Sequence, residues 1–542
     1  MQGKPGTAGL LKNPRIRPAS AWGGLSRPPS PDGKSRPDGA PVGRDADSQR
    51  SAPAPRGEGA PQGFFNGPTV PGSRWRDACG VLGIYAPGQD VARLAYFGLF
   101  TLQHRGQEGA GIAVADGRQF RLHKGMGLVQ GVFHDERQLR ALQGHIAIGH
   151  VRYSTTGSHR PSNVQPLTAD SADGQFAIGH NGNLVNAASL REILSNNGRQ
   201  FGTTTDTELI ATMISDLSRG RTLEEAISDA MPRLHGAYSV TLLTREKLIG
   251  FRDPWGVRPL CIGRMESGGY VLASETCALP VLRARLVREV QPGEIVVIDE
   301  HGITEIQAVP SPRRACCIFE FIYFARPDSL IYGKSIYIAR KRMGHVLARE
   351  QPCDADIIVP VPESGVPHAI GYAEASRTPF GEALIKNRYI LRTFIQPEQR
   401  ERNESVRMKF SPLREAVEGR RVVLVDDSIV RGTTTRQLVG MVREAGAREV
   451  HLRINSPPLR YPCYYGIDMD TQDQFIAHRM RVPDIAQQLG ADSLGYLSIN
   501  GLIEAVGLSR SNFCLACFNN RYPIDIPKRT KIGKLALEPQ PL

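Results

Sequence analysis

From residue 79 onward the chain is built of short segments in which apolar and polar positions alternate between Gly, Asp and Pro punctuation. Val81–Tyr85, Gly111–Ala115, Gln119–His123, His145–Val151, Gln175–Gly179, Tyr238–Thr244, Leu248–Asp253, Tyr270–Ser274 and Glu294–Ile298 read as paired antiparallel strands. Val91–Gln103 and Thr205–Leu217 instead repeat their apolar residues at helical spacing. Helices packed on antiparallel sheets predict an α+β domain over residues 79–310. After Pro310–Arg314 the rhythm changes. A helix over Ser335–Arg349, a strand over Asp356–Pro362, a helix near Pro367–Glu374, a strand over Arg421–Val425, a helix over Thr434–Glu444 and a strand over Glu449–Ile454 predict a parallel α/β sheet in a domain over 316–480. A C-terminal helical segment and tail over 481–542 follow, and no internal repeat relates the halves.

Residues 1–78 have no such pattern. Rich in Pro, Gly, Ser and Arg, they cannot bury enough apolar surface to offset the entropy of ordering and are expected to be a disordered extension. Their first 31 residues contain no acid, so a plastid transit segment is the alternative to a cytoplasmic chain with a propeptide.

Composition adds bounds. The 542 residues are too many for one core, and 40% hydrophobic with 22% charged residues is ordinary for a globular protein. No apolar run has the length of a membrane span. Of the +13 formal charge, residues 1–78 hold 12 basic and 6 acidic side chains, and the remainder 55 against 48. That mild excess forms no basic stripe with interleaved aromatics, so neither nucleic acid nor membrane is an expected partner. Nine cysteines without a secretory signal point to catalytic or metal-binding thiols rather than a disulfide framework.

Cys79 stands where the extension meets the first strand. A cut after Ala78 would give one residue both a thiol and an α-amine, and the amine can serve as the base for its own nucleophile. Alone, Cys79 reads equally as a small core residue. Four polar stretches follow it: His104–Gly111, His150–Gly157, His180–Leu184 and Thr205–Glu208. Together they resemble the class II glutamine amidotransferases, which have an N-terminal-nucleophile fold. The resemblance implies that Arg152, supported by Thr155, grips the glutamine carboxylate and that Asp206 pairs its ammonium. It also implies that Asn181 and the Gly182 N–H stabilise the oxyanion formed when Cys79 attacks the amide.

Arg421–Thr435 carries a second chemistry. A buried strand ends in Asp426 and Asp427, and a Gly/Thr-rich loop then opens a helix. Helix-terminal N–H groups favour phosphate, and paired acids suit ribose hydroxyls and Mg2+. The stretch is similar to the type I phosphoribosyltransferase signature, and joined to the first domain it resembles the amidophosphoribosyltransferase family. That resemblance implies binding roles for Ser428, Arg431, Gly432, Thr433 and Thr434, a metal role for Ser364 with Asp426 and Asp427, and a closing loop carrying Lys386 and Arg392.

Cys514 and Cys517 form a C-x2-C pair, with Cys463 and the Cys316–Cys317 pair elsewhere. One branch of the family holds a [4Fe–4S] cluster, which implies Cys317, Cys463, Cys514 and Cys517 as ligands. Zinc, and Cys316 in place of Cys317, stay open. The resemblance further implies 5-phosphoribosyl 1-pyrophosphate and glutamine as substrates, ammonia passing between enclosed sites, a homotetramer, and inhibition by purine nucleotides. Another class II amidotransferase and a phosphoribosyl-binding regulator are the competing readings.

Overall fold

The computed structural model describes residues 79–154, 156–172, 174–387, 406–469, 471–527 and 536–538. Thirteen strands follow one another through the first half: β1 Gly80–Tyr85, β2 Gly109–Ala115, β3 Phe120–Met126, β4 Ile146–Arg152, β5 Leu167–Ser171, β6 Gly174–Leu184, β7 Gly236–Leu243, β8 Leu248–Arg252, β9 Cys261–Met265, β10 Tyr270–Ala273, β11 Ala284–Glu289, β12 Glu294–Asp299 and β13 Gly302–Gln307. They form two antiparallel sheets, ordered β11-β9-β10-β1-β4-β2-β3 and β13-β12-β8-β7-β6-β5.

Period-two alternation divides β1 between two cores. Val81 and Tyr85 face the second sheet, while Leu82 and Ile84 face the helix Val91–Thr101. Both faces are covered, so β1 and β4 are buried along their whole length. The helices Ala187–Asn196, Asp206–Leu217 and Leu223–Ala230 cover the outer face of the second sheet. The result is the four-layered αββα arrangement expected of an N-terminal-nucleophile domain.

The second half opens with three two-residue strands, β14 Cys316–Cys317, β15 Leu330–Ile331 and β16 Lys334–Ser335. Then come β17 Ile357–Pro360, β18 Leu384–Lys386, β19 Phe410–Pro412, β20 Arg421–Asp426, β21 Glu449–Ile454, β22 Ser493–Tyr496 and β23 Phe513–Cys514. The parallel sheet runs β17-β20-β21-β22. Helices Ile336–Glu350 and Val366–Ser376 pack on the face of Ile358 and Val423, and helix Thr433–Glu444 on that of Val359 and Leu424. The expected boundary at residue 480 falls inside this unit, because its fourth strand is β22. Ser493–Tyr496 is too short to register as periodic in sequence, and parallel pairing with β21 forms it. The expected extension over 1–78 lies outside the described residues. Among the described residues no helix is long and apolar enough to cross a membrane.

The halves are tied by buried charge. Arg105 pairs with Glu275 and, at 2.9 Å, with Glu320, while Arg258 reaches Glu320 at 3.3 Å. Glu275 also takes His104 Nε2 at 2.7 Å and the Ser329 hydroxyl at 2.7 Å. Burial pushes the Glu275 carboxyl up, but His104 and Arg105 outweigh it and hold it below the usual carboxylate range. Glu275→Gln, which strands these cations, should cost about 3–5 kcal/mol in denaturant unfolding at pH 7. A depressed folded pKa contributes its full stability above the unfolded value and loses it as pH falls from there through the folded one. The deficit against the parent should therefore narrow as pH falls below about 4.3.

Candidate active sites

Register sets the first site. β1 pairs with β4 so that Gly80 faces Val151, which carries Cys79 to the end of β4. The Cys79 thiol donates to Tyr153 O at 3.1 Å and accepts from Tyr153 N–H at 3.3 Å, and Arg105 Nε donates to Cys79 O at 3.2 Å. Burial pushes the thiol up to about 12, against the opposing pull of Arg152. In the uncut chain it is a neutral, poorly nucleophilic group.

Arg152 ends β4 and is buried. It donates to Ser154 Oγ at 2.6 Å and to the carbonyls of Thr156 and Ser158 at 3.3 and 3.4 Å, with Glu108 at 3.6 Å. Glu108 in turn accepts the Ser154 N–H at 2.9 Å. Asp206 opens its helix behind the Thr205 cap and accepts Leu184 N–H at 2.9 Å, with His180 Nδ1 at 3.5 Å. Burial pushes its carboxyl up, but His180 and the Leu184 N–H hold it below the usual range. Thr155 lies outside the described residues.

Asn181 lies on β6 between these groups, and both polar atoms of its buried amide have no hydrogen-bond partner among the described residues. Gly182 follows with φ +151°, where an added Cβ would lie 1.9 Å from Ala237 O. Asn181 and Gly182 are paired strand rather than the strand-end turn the sequence suggested, and a loop of the second half covers them. A Cβ on Gly466 would stand 3.0 Å from the Gly182 carbonyl, Asn183 Nδ2 donates to Tyr464 O at 2.9 Å, and the Tyr153 hydroxyl donates to Asp468 at 3.4 Å.

The second site gathers at the carboxyl ends of β17 and β20. Helices Val366–Ser376 and Thr433–Glu444 both begin there, after Gly365 and Gly432. Neither helix start has a side-chain cap, which leaves main-chain donors for an anion. A Cβ on Gly365 would meet the carbonyls of Val361 and Val425 at 2.6 Å, and Gly432 has φ +78°. Ser364 Oγ donates to Asp427 at 2.5 Å, Ser428 Oγ donates to the other oxygen of the same carboxylate, and Asp427 N–H donates to Asp426 at 2.9 Å. Lys386 ends β18 with its ammonium 3.4 Å from Glu363. Arg431 bonds to Gln474, and Thr433 and Thr434 form the first turn of their helix. Arg392 lies outside the described residues.

The cysteines separate by strand alternation. β14 and β23 pair in parallel with Cys317 opposite Cys514. Burial pushes the Cys517 thiol well up, and Cys514, Cys317 and Cys463 stand near enough to push it further. The nearest charged neighbours of Cys316 are Arg252 and Glu289, whereas those of Cys317 include Arg258 and Cys463. Cys463 accepts Tyr465 N–H at 3.4 Å, so it begins the loop that covers Gly182. Among the described residues no three His, Cys, Asp or Glu side chains are grouped so as to hold a single metal ion.

The family model for a glutamine amidotransferase domain matches residues 150–281. The amidophosphoribosyltransferase of Synechococcus elongatus is 52% identical, over 86% of this chain and 95% of that one. That of Methanocaldococcus jannaschii is 49% identical, over 84% and 100%. This chain belongs to the amidophosphoribosyltransferase family. A solved structure of the Bacillus subtilis enzyme, complexed with ADP and GMP, aligns with a TM-score of 0.79 at 47% identity over 84% of this chain and 99% of that one. The protein is thus a glutamine-dependent pentosyl transferase acting at the first step of purine biosynthesis, not the regulator or the other amidotransferase kept as competing readings.

Three groups at the amidotransferase site carried no assigned role in the sequence. Glu108 and Ser154 stood inside polar turns already singled out, and burial beside Arg152 gives them their work of orienting it. The Tyr464–Asp468 loop had no local signal, because only tertiary packing brings it to Asn181 and Gly182.

An unpartnered buried amide costs stability that its function must justify. Asn181→Ala should therefore leave the thermal unfolding midpoint unchanged or raised. If Asn181 is the oxyanion donor that the family resemblance implies, glutamine-dependent turnover should fall by about 10²–10³-fold, the usual cost of losing one such donor.

Proposed function

We propose that Cys79, exposed as an N-terminus by cleavage after Ala78, is the nucleophile that takes ammonia from glutamine. Ala78 and the extension lie outside the described residues. The observation that carries this reading is the Asn181 amide, buried and unpartnered beside the glycine-only position at 182. Arg152, with Thr155, grips the glutamine α-carboxylate, and Asp206 pairs the α-ammonium. The thiol loses its proton to the α-amine and attacks the side-chain amide. The developing oxyanion is met by Asn181 Nδ2 and Gly182 N–H, ammonia leaves, and water hydrolyses the thioester to glutamate.

Ammonia then attacks C1 of 5-phosphoribosyl 1-pyrophosphate at the second site, and pyrophosphate departs to leave 5-phosphoribosylamine. Backbone donors at Gly365 and Gly432–Thr434, with Ser428, hold the phosphates. Lys386, Arg392 and Arg431 neutralise the departing charge. Asp426 and Asp427 bind the ribose and, with Ser364, would hold Mg2+, which supplies charge neutralisation on the pyrophosphate. The acids fit that ion because Ser364 and Asp427 already touch across the two strand ends.

Cys317, Cys463, Cys514 and Cys517 are proposed as ligands of a [4Fe–4S] cluster. Four clustered thiols, two of them buried and two half-buried, with Arg258 nearby suit a bound group that keeps them as thiolates. Its contribution is structural, joining β14 and β23 to the loop over Gly182. A cytoplasmic homotetramer inhibited by purine nucleotides completes the reading. It is supported by the family and by the ADP and GMP complex of the Bacillus subtilis relative.

With Mg2+ and 5-phosphoribosyl 1-pyrophosphate, protein prepared without oxygen should release pyrophosphate in proportion to glutamine. Cys79→Ser should abolish that release yet retain pyrophosphate release driven by ammonia at high pH; loss of both would refute the division into two sites. Iron and sulfide analysis tests the ligand set separately. Cys317→Ser should lose both elements and Cys316→Ser should keep them, whereas zinc in the parent protein would replace the cluster in this reading.

A further inference from the structure

The segment Ala536–Glu538 lies against the amidotransferase site. Leu537 is buried in the core between the second sheet and its helices. The Glu538 carboxylate accepts the Ser158 N–H at 2.7 Å and the Thr204 hydroxyl at 2.6 Å, and its other oxygen is 3.3 Å from Arg160 Nη2. Glu538 is only 13% exposed.

Its partners are not arbitrary surface groups. The Ser158 carbonyl accepts from Arg152, and Asn163 Nδ2 ties that same carbonyl to the Thr204 hydroxyl at 2.9 Å on each side. Thr204 lies two residues before Asp206. One carboxylate therefore spans from the loop that wraps Arg152 to the segment that delivers Asp206.

We propose that Glu538 is a positioning residue for glutamine: it clasps the carboxylate-gripping side of the pocket to the ammonium-gripping side and fixes the spacing at which one amino acid can engage both. This rests on the assignment of Arg152 and Asp206 to the two ends of glutamine. The clasp acts on binding of the α-carbon groups, not on the thiol. It touches neither Cys79 nor Asn181. A charge-assisted carboxylate with two donors holds a loop more firmly than neutral contacts do. Arg160 is well exposed, and its pair with Glu538 contributes little.

The test is steady-state pyrophosphate release with glutamine, with ammonia-driven release by the same preparation as the internal reference. Glu538→Ala should raise KM for glutamine about tenfold with a smaller change in kcat, a loss near 1.4 kcal/mol in binding. Glu538→Gln keeps an acceptor for Ser158 and Thr204 and should restore most of the affinity. If Glu538→Ala does not fold, Thr204→Ala, which removes one arm of the clasp, should raise KM in the same direction. A KM unchanged or lowered in these variants overturns the proposal. If Arg152→Lys and Asp206→Asn left KM for glutamine unchanged, the underlying assignment of the two ends would fail instead, so the two failures are told apart.

Discussion

Arg105 is the interaction on which the rest turns. Its guanidinium is 1% exposed, and a cation so far from water persists only if carboxylates and carbonyls surround it. Glu275 comes from the first half and Glu320 from the second, so the halves must meet for the charge to be compensated. Arg258 completes the set by pairing Glu320 and donating to Tyr465 O at 2.8 Å, which fixes the loop over Gly182. The same Arg105 holds the Cys79 carbonyl. One buried network thus locates Cys79, the junction between the halves and the loop that lies over Gly182.

The two sites use contrasting means. In the antiparallel half, side chains at the ends of β4 and β6 and at a helix start converge, and their precision depends on further groups such as Glu108 that orient them. In the parallel half the main chain does the work. Gly365 and Gly432 let two strands turn into two helices without a Cβ in the way, and the helix starts supply aligned N–H donors. One site thus presents a buried, positioned arginine, and the other presents the backbone geometry that a parallel sheet provides wherever its strands end.

The loop from Cys463 to Asp468 joins the amidotransferase half to the cysteines. Cys463 stands with the other three thiols, Tyr464 and Gly466 rest on β6, and Asp468 receives the Tyr153 hydroxyl. The segment that carries Cys463 therefore also rests on β6 at Gly182 and Asn183.

Periodicity alone determined the two fold classes, since period-two strands and strand–helix alternation are local properties of the chain. It also exposed Asp426–Thr435, where strand, acids and phosphate loop are contiguous. Cys79 was legible at the break between the extension and the first strand, and Arg152, Asn181 and Asp206 in the polar stretches that follow it. Tertiary structure decided the rest. It turned Cys317 rather than Cys316 toward the other thiols, extended the parallel sheet to β22, brought Gly466 onto Gly182, and laid Glu538 across Ser158 and Thr204. Each of these depends on contacts between residues far apart in the chain, and no local pattern encodes which distant backbone will supply a partner.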